Sequence, residues 1–191
     1  MAPDRYNATI AEILRAPLPD TILSRIQGNA PPKVKESAVK WLNIFHTFVG
    51  ALTRKITVTE VSLDPDPLEN GRILTLICEI DVTPEMVDGH DNVHNAFVVT
   101  VIDECVSSAV TALDYAEGGP GMSGVSLSLD TVFHNPAERG AKLRFVNTTL
   151  TAVSGMMSCR CQVWDLTRRR LVATSTFIGM RSSLPKLAGR L

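Results

Sequence analysis

The stretch DNVHNAFVVTVIDECVSSAVTALDY, residues 91–115, decides the fold. Phe97, Val98, Val101, Ile102, Cys105, Val106, Ala109, Val110 and Leu113 recur at i, i+1, i+4, i+5 spacing and form one broad face of an α-helix. Asp91 or Asn92 offers a capping side chain ahead of it. A helix so apolar needs cover around most of its circumference. Two carboxyls interrupt it. Asp103 shares its edge with Val99 and Ser107 rather than with other charges. Glu104 aligns with Thr100, Ser108 and Thr111, an edge expected to face water. An unpaired carboxylate away from water is costly, so Asp103 either meets solvent or holds a function.

On both sides of this helix the hydrophobic period becomes two. Upstream, RKITVTEVSL (54–63) and RILTLICEIDV (72–82) flank a turn containing Asn70-Gly71, which predicts a β-hairpin. Downstream, VSLSLDTVFH (125–134), AKLRFVNTTLTAV (141–153), MMSCRCQVWDL (156–166) and LVATSTFIGM (171–180) read as four strands joined by short turns. Six strands with one helix after the second predict an α+β domain over 51–181, its antiparallel sheet curled around the helix. Residues 1–50 read as a helical extension: a helix capped by Asn7 or Thr9, a short one around Thr21, and a longer one from Pro31-Pro32 to a Gly50 stop. Residues 182–191 read as a loose tail.

Composition narrows the function. The 191 residues are 45% hydrophobic and 20% charged, which excludes the disordered and fibrous classes. A formal net charge of -1 leaves no basic field for nucleic acid. No continuous apolar run reaches the roughly 20 residues of a membrane span. Asp4, Glu12 and Asp20 disfavour a secretory or mitochondrial leader, which points to the cytoplasm. The terminal Gly-Arg-Leu is a poor match to a peroxisomal signal. Cys78, Cys105, Cys159 and Cys161 lie in apolar segments and read as buried free thiols.

Residues 53–181 resemble the hotdog-fold acyl-CoA thioesterases, in the phenylacetyl-CoA thioesterase-like branch. That branch carries His-Gly-Gly at the start of its central helix and an Asp nine residues after the His; here His94 opens His-Asn-Ala, and Asp103 stands at that spacing. Its next strand bears a Val-Ser pair ahead of an Asn/Ser-Pro-Ala turn, and Ser126 and Pro136 keep the ten-residue spacing. LVATSTFIGM matches the closing strand. The resemblance implies a sheet wrapped around one long helix, with active sites at the interface of a homodimer or dimer of dimers. It implies that the Asn95 N–H polarises a thioester carbonyl, that Asp103 is base or nucleophile, that Ser126 positions water or Asp103, and that His94 shapes the turn. Ala96, Val99 and Ser107 then border the substrate. The chain departs from the pattern at Asn95 and Ala96, which replace both glycines, and at Asp88, where the family often has Asn. An ionised Asp88 accepts hydrogen bonds and donates none.

The implied reaction is hydrolysis of an acyl thioester, with coenzyme A or phosphopantetheine present only as part of the substrate. The same scaffold hosts dehydration or other processing of polyketide-type intermediates in secondary metabolism, and non-catalytic acyl binding; both stay open as alternatives. The N-terminal helices are expected over the outer sheet or the mouth of the acyl tunnel. Arg139 and Arg168, in charged turns, are either solvated or placed to attract coenzyme A phosphates. His90 and His94 imitate a zinc pair but straddle a loop and a helix start, so no metal is expected.

Overall fold

The computed structural model describes residues 16–44, 50–67, 71–121, 124–153 and 155–181. The helix expected from Asn7 or Thr9 and the tail 182–191 lie outside the described residues. Six strands form one antiparallel sheet: β1 (Thr57–Pro65), β2 (Arg72–Asp81), β3 (Val125–Phe133), β4 (Lys142–Val153), β5 (Met156–Asp165) and β6 (Arg170–Met180). Their order is β1-β2-β4-β5-β6-β3. The helices are α1 (Asp20–Leu23), α2 (Pro32–Asn43), α3 (Gly50–Thr53) and α4 (Asn95–Ala116).

The expected apolar face of α4 is buried from Val98 to Leu113, in one core with Leu74, Leu76, Leu143, Phe145 and Phe177 of the sheet. Each such side chain contributes roughly 1.5–3 kcal/mol on burial. By composition α4 is long and apolar enough to cross a membrane, but it is mostly buried inside the protein. Its cap is His94 rather than Asp91 or Asn92: the ring Nδ1 accepts the Ala96 N–H at 3.1 Å. The chain is still held in an extended path before it, with Val93 N–H on the Ala137 carbonyl and His94 N–H on Met86. Those bonds delay the first helical residue to Asn95.

Pro32 opens α2, where its missing N–H costs nothing. The helix stops at Asn43, and Ile44 N–H turns back to the Trp41 carbonyl; Gly50 begins α3 instead of ending α2. Of the two positions expected for the N-terminal helices, α2 does not take the outer sheet: it lies on α4, and its Trp41 walls a groove beside Asp103. Ser108 Oγ donates to the Ala38 carbonyl at 2.8 Å. This overturns the wet-edge reading of Glu104, Ser108 and Thr111, which are only 9%, 0% and 2% exposed. The apolar stripe of α2 needs a partner, and the small Ser108 and Thr111 side chains let the two helices approach closely.

The stretch after α1 covers one edge of the sheet. Gln27 N–H donates to the Thr59 carbonyl, and Val61 N–H donates back to Gln27. Gly28, at φ 91°, permits this approach, since a Cβ there would lie 2.2 Å from the Val61 oxygen. The β1 edge is thereby shielded from other chains.

An ion pair anchors α2. Glu36 and Lys40 are both buried and 2.8 Å apart; Lys33 and the Leu18 N–H also reach Glu36. The Lys40 ammonium above all holds the Glu36 carboxyl down at about 2. A depressed carboxyl stabilises the fold above its unfolded titration range, and that stability is lost as pH falls toward 2. Glu36→Gln, which strips buried Lys40 of its carboxylate, is expected to cost about 3 kcal/mol. Thermal melts should show a lower Tm at pH 7, with the difference narrowing in acid.

Candidate functional site

Strand β3 follows α4 in sequence but lies at the opposite sheet edge, paired with β6. Gly124 sets its start: at φ 75° a Cβ would sit 2.1 Å from the Met180 oxygen. The pairing shifts register between Ser126 and Ser128, a bulge that redirects side chains. Ser126 Oγ consequently reaches Asp103 and donates to its Oδ1 at 3.0 Å. Asp103 itself is half-buried. The hydroxyl leaves the second carboxylate oxygen to act on another group.

Two grooves meet at this pair. One, of about 510 Å³, is walled by Val99, Thr100, Asp103, Glu104, Ser126 and Leu129, among others. The other, of about 300 Å³, is walled by Trp41, Asp103, Glu104, Ser107 and Phe177 together with the β3 start. Val99 and Ser107, the sequence neighbours of Asp103 on its helix edge, thus line different grooves. Glu104 and Trp41 were not among the expected site residues. Glu104 lines both grooves, is 9% exposed, and its Oε2 meets no hydrogen-bond partner among the described residues. Burial first, and the Asp103 charge second, push its carboxyl up to about 7. The available signal was the run of small side chains at Ser107, Ser108 and Thr111, which marks a helix-packing face.

The remaining candidates gather at the start of α4. Asn95 and Ala96 are exposed at the first helical positions, and His94 engages the Ala96 N–H, so the amide of Asn95 is the first orphan donor there. Asp88 closes the preceding turn: its Oδ1 accepts the His90 N–H at 2.8 Å and the Asn92 N–H at 3.2 Å. These bonds, the His90 amide first, hold its carboxyl below the ordinary range. Arg139 pairs with Asp91 at 2.7 Å, and Arg168 pairs with Glu138 one residue away from Arg139. Neither arginine lines the Asp103 grooves of the same chain. All four cysteines are buried and free. Burial raises the Cys159 and Cys161 thiols, and a hydrogen bond to Cys78, with burial, raises Cys105, so these three supply no thiolate nucleophile.

The fold is the hotdog fold: a six-stranded antiparallel sheet wrapped around one long helix, as in solved thioesterase-superfamily structures. Thioesterase superfamily member 2 from zebra fish superposes with a TM-score of 0.61 at 16% identity, over 78% of this chain and 96% of its own. A mutant of the phenylacetic acid degradation protein PaaI from Thermus thermophilus gives 0.53 at 21%, over 72% and 100%. A hypothetical thioesterase from Streptococcus pneumoniae, solved with coenzyme A, gives 0.53 at 15%, over 68% and 90%. No family model matches the sequence, and no curated protein matches it.

Proposed function

We propose that this chain hydrolyses an acyl thioester, carried on coenzyme A or a carrier protein, at a site completed by a second copy of itself. The observation that carries the reading is the Asp103 carboxylate, oriented by the Ser126 hydroxyl where two grooves meet. Asp103 acts as base toward water or attacks the carbonyl directly. Val99, Leu127 and Leu129 offer an apolar bed for the acyl chain, and Ser107 borders it. A neighbour of the same fold was solved with coenzyme A, which fits this substrate class.

Helix geometry supports the second copy. Asn95 and Asp103 are eight residues apart on α4, so the Asn95 amide lies about 12 Å along the axis from the carboxylate. One carbonyl does not reach both within a single chain. Strand β3 supplies the means of pairing, since Val125, Leu127 and Val132 on it are each more than half exposed. Among the described residues, β1 carries no exposed large hydrophobic side chain. Arg139 and Arg168, beside the start of α4, then lie near the carbonyl-binding amide and suit the anionic end of coenzyme A.

Asn95 in place of a glycine narrows the approach to the helix amide, and this departure motivates a second reading in which the site carries altered chemistry such as dehydration. A panel of acyl-CoAs with two readouts separates the readings. Free thiol release supports hydrolysis; loss of water with the thioester intact supports dehydration; tight binding with neither product supports an acyl-binding subunit. Leu127→Lys tests the pairing, since a charge on an edge strand opposes strand addition. It is expected to convert the assembly to monomers by light scattering and to remove turnover with it. A fully active monomer sinks the shared-site reading.

A further inference from the structure

Four acids are buried among the described residues: Glu36, Glu104, Asp114 and Asp165. Glu36 has Lys40, Asp114 has Arg181, and Asp165 has Arg168 and Arg170. Glu104 has no ion-pair partner among the described residues, although a buried carboxylate is stable only when paired or hydrogen-bonded. Its surroundings offer little relief. Trp41 of α2, Ser126 and Leu129 of β3, Phe177 of β6, and Thr100, Asp103 and Ser107 of α4 line the grooves it faces. Asp103 is the only other acid or base among them, and its charge repels a second one. A purely structural position of this kind is better filled by a neutral side chain.

Building on the hydrolytic reading above, we propose that Glu104 is a second catalytic carboxyl, giving its proton to the sulfur of the departing thiol while Asp103 takes one from water. In the base mechanism, water loses a proton to Asp103 and its oxygen bonds to the carbonyl carbon. The C–S bond then breaks, and the sulfur leaves with the bond's electron pair and the Glu104 proton. Asp103 ends protonated and Glu104 ionised; return of the proton from Asp103 to Glu104 through water resets the site. The need is physical. An alkyl thiolate expelled without a proton into a partly apolar groove is poorly solvated. A general acid typically supplies about 10²–10⁴-fold in such a step. The two carboxyls therefore divide the labour by environment: Asp103 accepts the Ser126 hydroxyl, and burial favours the neutral form of Glu104.

The test compares wild type and Glu104→Gln on an acyl-CoA and on the matching thiophenyl ester, whose arylthiolate departs without a proton. Glutamine keeps the volume and removes the transferable proton, and a thermal melt confirms the fold. Glu104→Gln is expected to lower kcat on the acyl-CoA about 10²-fold and on the aryl ester by a much smaller factor. The wild-type enzyme must hold Glu104 protonated, so its acyl-CoA turnover should fall as pH rises through about 7. That alkaline limb should be absent with the aryl ester. Equal losses on both esters, or none on the acyl-CoA, overturn the role of Glu104. A wild-type protein that turns over neither ester overturns it together with the hydrolytic reading, an outcome visible before any variant is made.

Discussion

Asp103→Asn is expected to lower acyl-CoA hydrolysis by about 10²–10⁴-fold while leaving the fold intact. The carboxamide keeps the volume of the side chain, and its oxygen still accepts the Ser126 hydroxyl that now lies 3.0 Å from Oδ1. Because Asp103 is half-buried with no ion-pair partner among the described residues, its replacement leaves no stranded cation. What disappears is the ability to take a proton from water or to attack a carbonyl. Thiol release measured beside a thermal melt separates the two effects. An unchanged melt with retained turnover would mean that another group does the chemistry.

The second large effect concerns the shared site. Asn95 occupies the first position of α4, where proline is tolerated and where the preceding His94 already has a compatible extended backbone at φ -64°, ψ 130°. Asn95→Pro therefore removes one N–H while preserving the helix start. Loss of a single oxyanion donor costs about 10²–10³ in kcat. Alone, Asn95→Pro and Asp103→Asn should each be nearly inactive. If one protomer supplies the amide and its partner the carboxylate, unfolding and co-refolding the two variants restores one intact site per mixed dimer. Random pairing then yields about a quarter of the wild-type sites. Recovery is measured as thiol release after mixing. No recovery from well-folded mixed dimers places both groups in one chain and rejects the shared site.

The candidate site was only partly legible before the tertiary structure. Asp103 and Ser126 stand at recognisable spacings, but their contact depends on a bulge in β3 and on Gly124 at positive φ. Glu104 was assigned to the wrong environment. Its helical edge carries Thr100, Ser108 and Thr111, which look wet in a periodicity argument. The small side chains of Ser108 and Thr111 instead admit α2, and Ser108 satisfies its hydroxyl on the Ala38 carbonyl. The helix cap was likewise misplaced, because the extended pairing of Val93 with Ala137 draws on residues far apart in sequence.

The sequence by itself determined the long apolar helix, the six alternating strands and the spacing of His94, Asp103 and Ser126. Those features follow from local periodicity and turn chemistry, which act over a few residues. Only the tertiary structure decided that α2 packs on α4, that Glu104 is buried beside Asp103 without a cation among the described residues, and that β3 presents an open apolar edge. Burial and pairing depend on what distant segments bring to a side chain, and a residue's own neighbours in the chain do not carry that information.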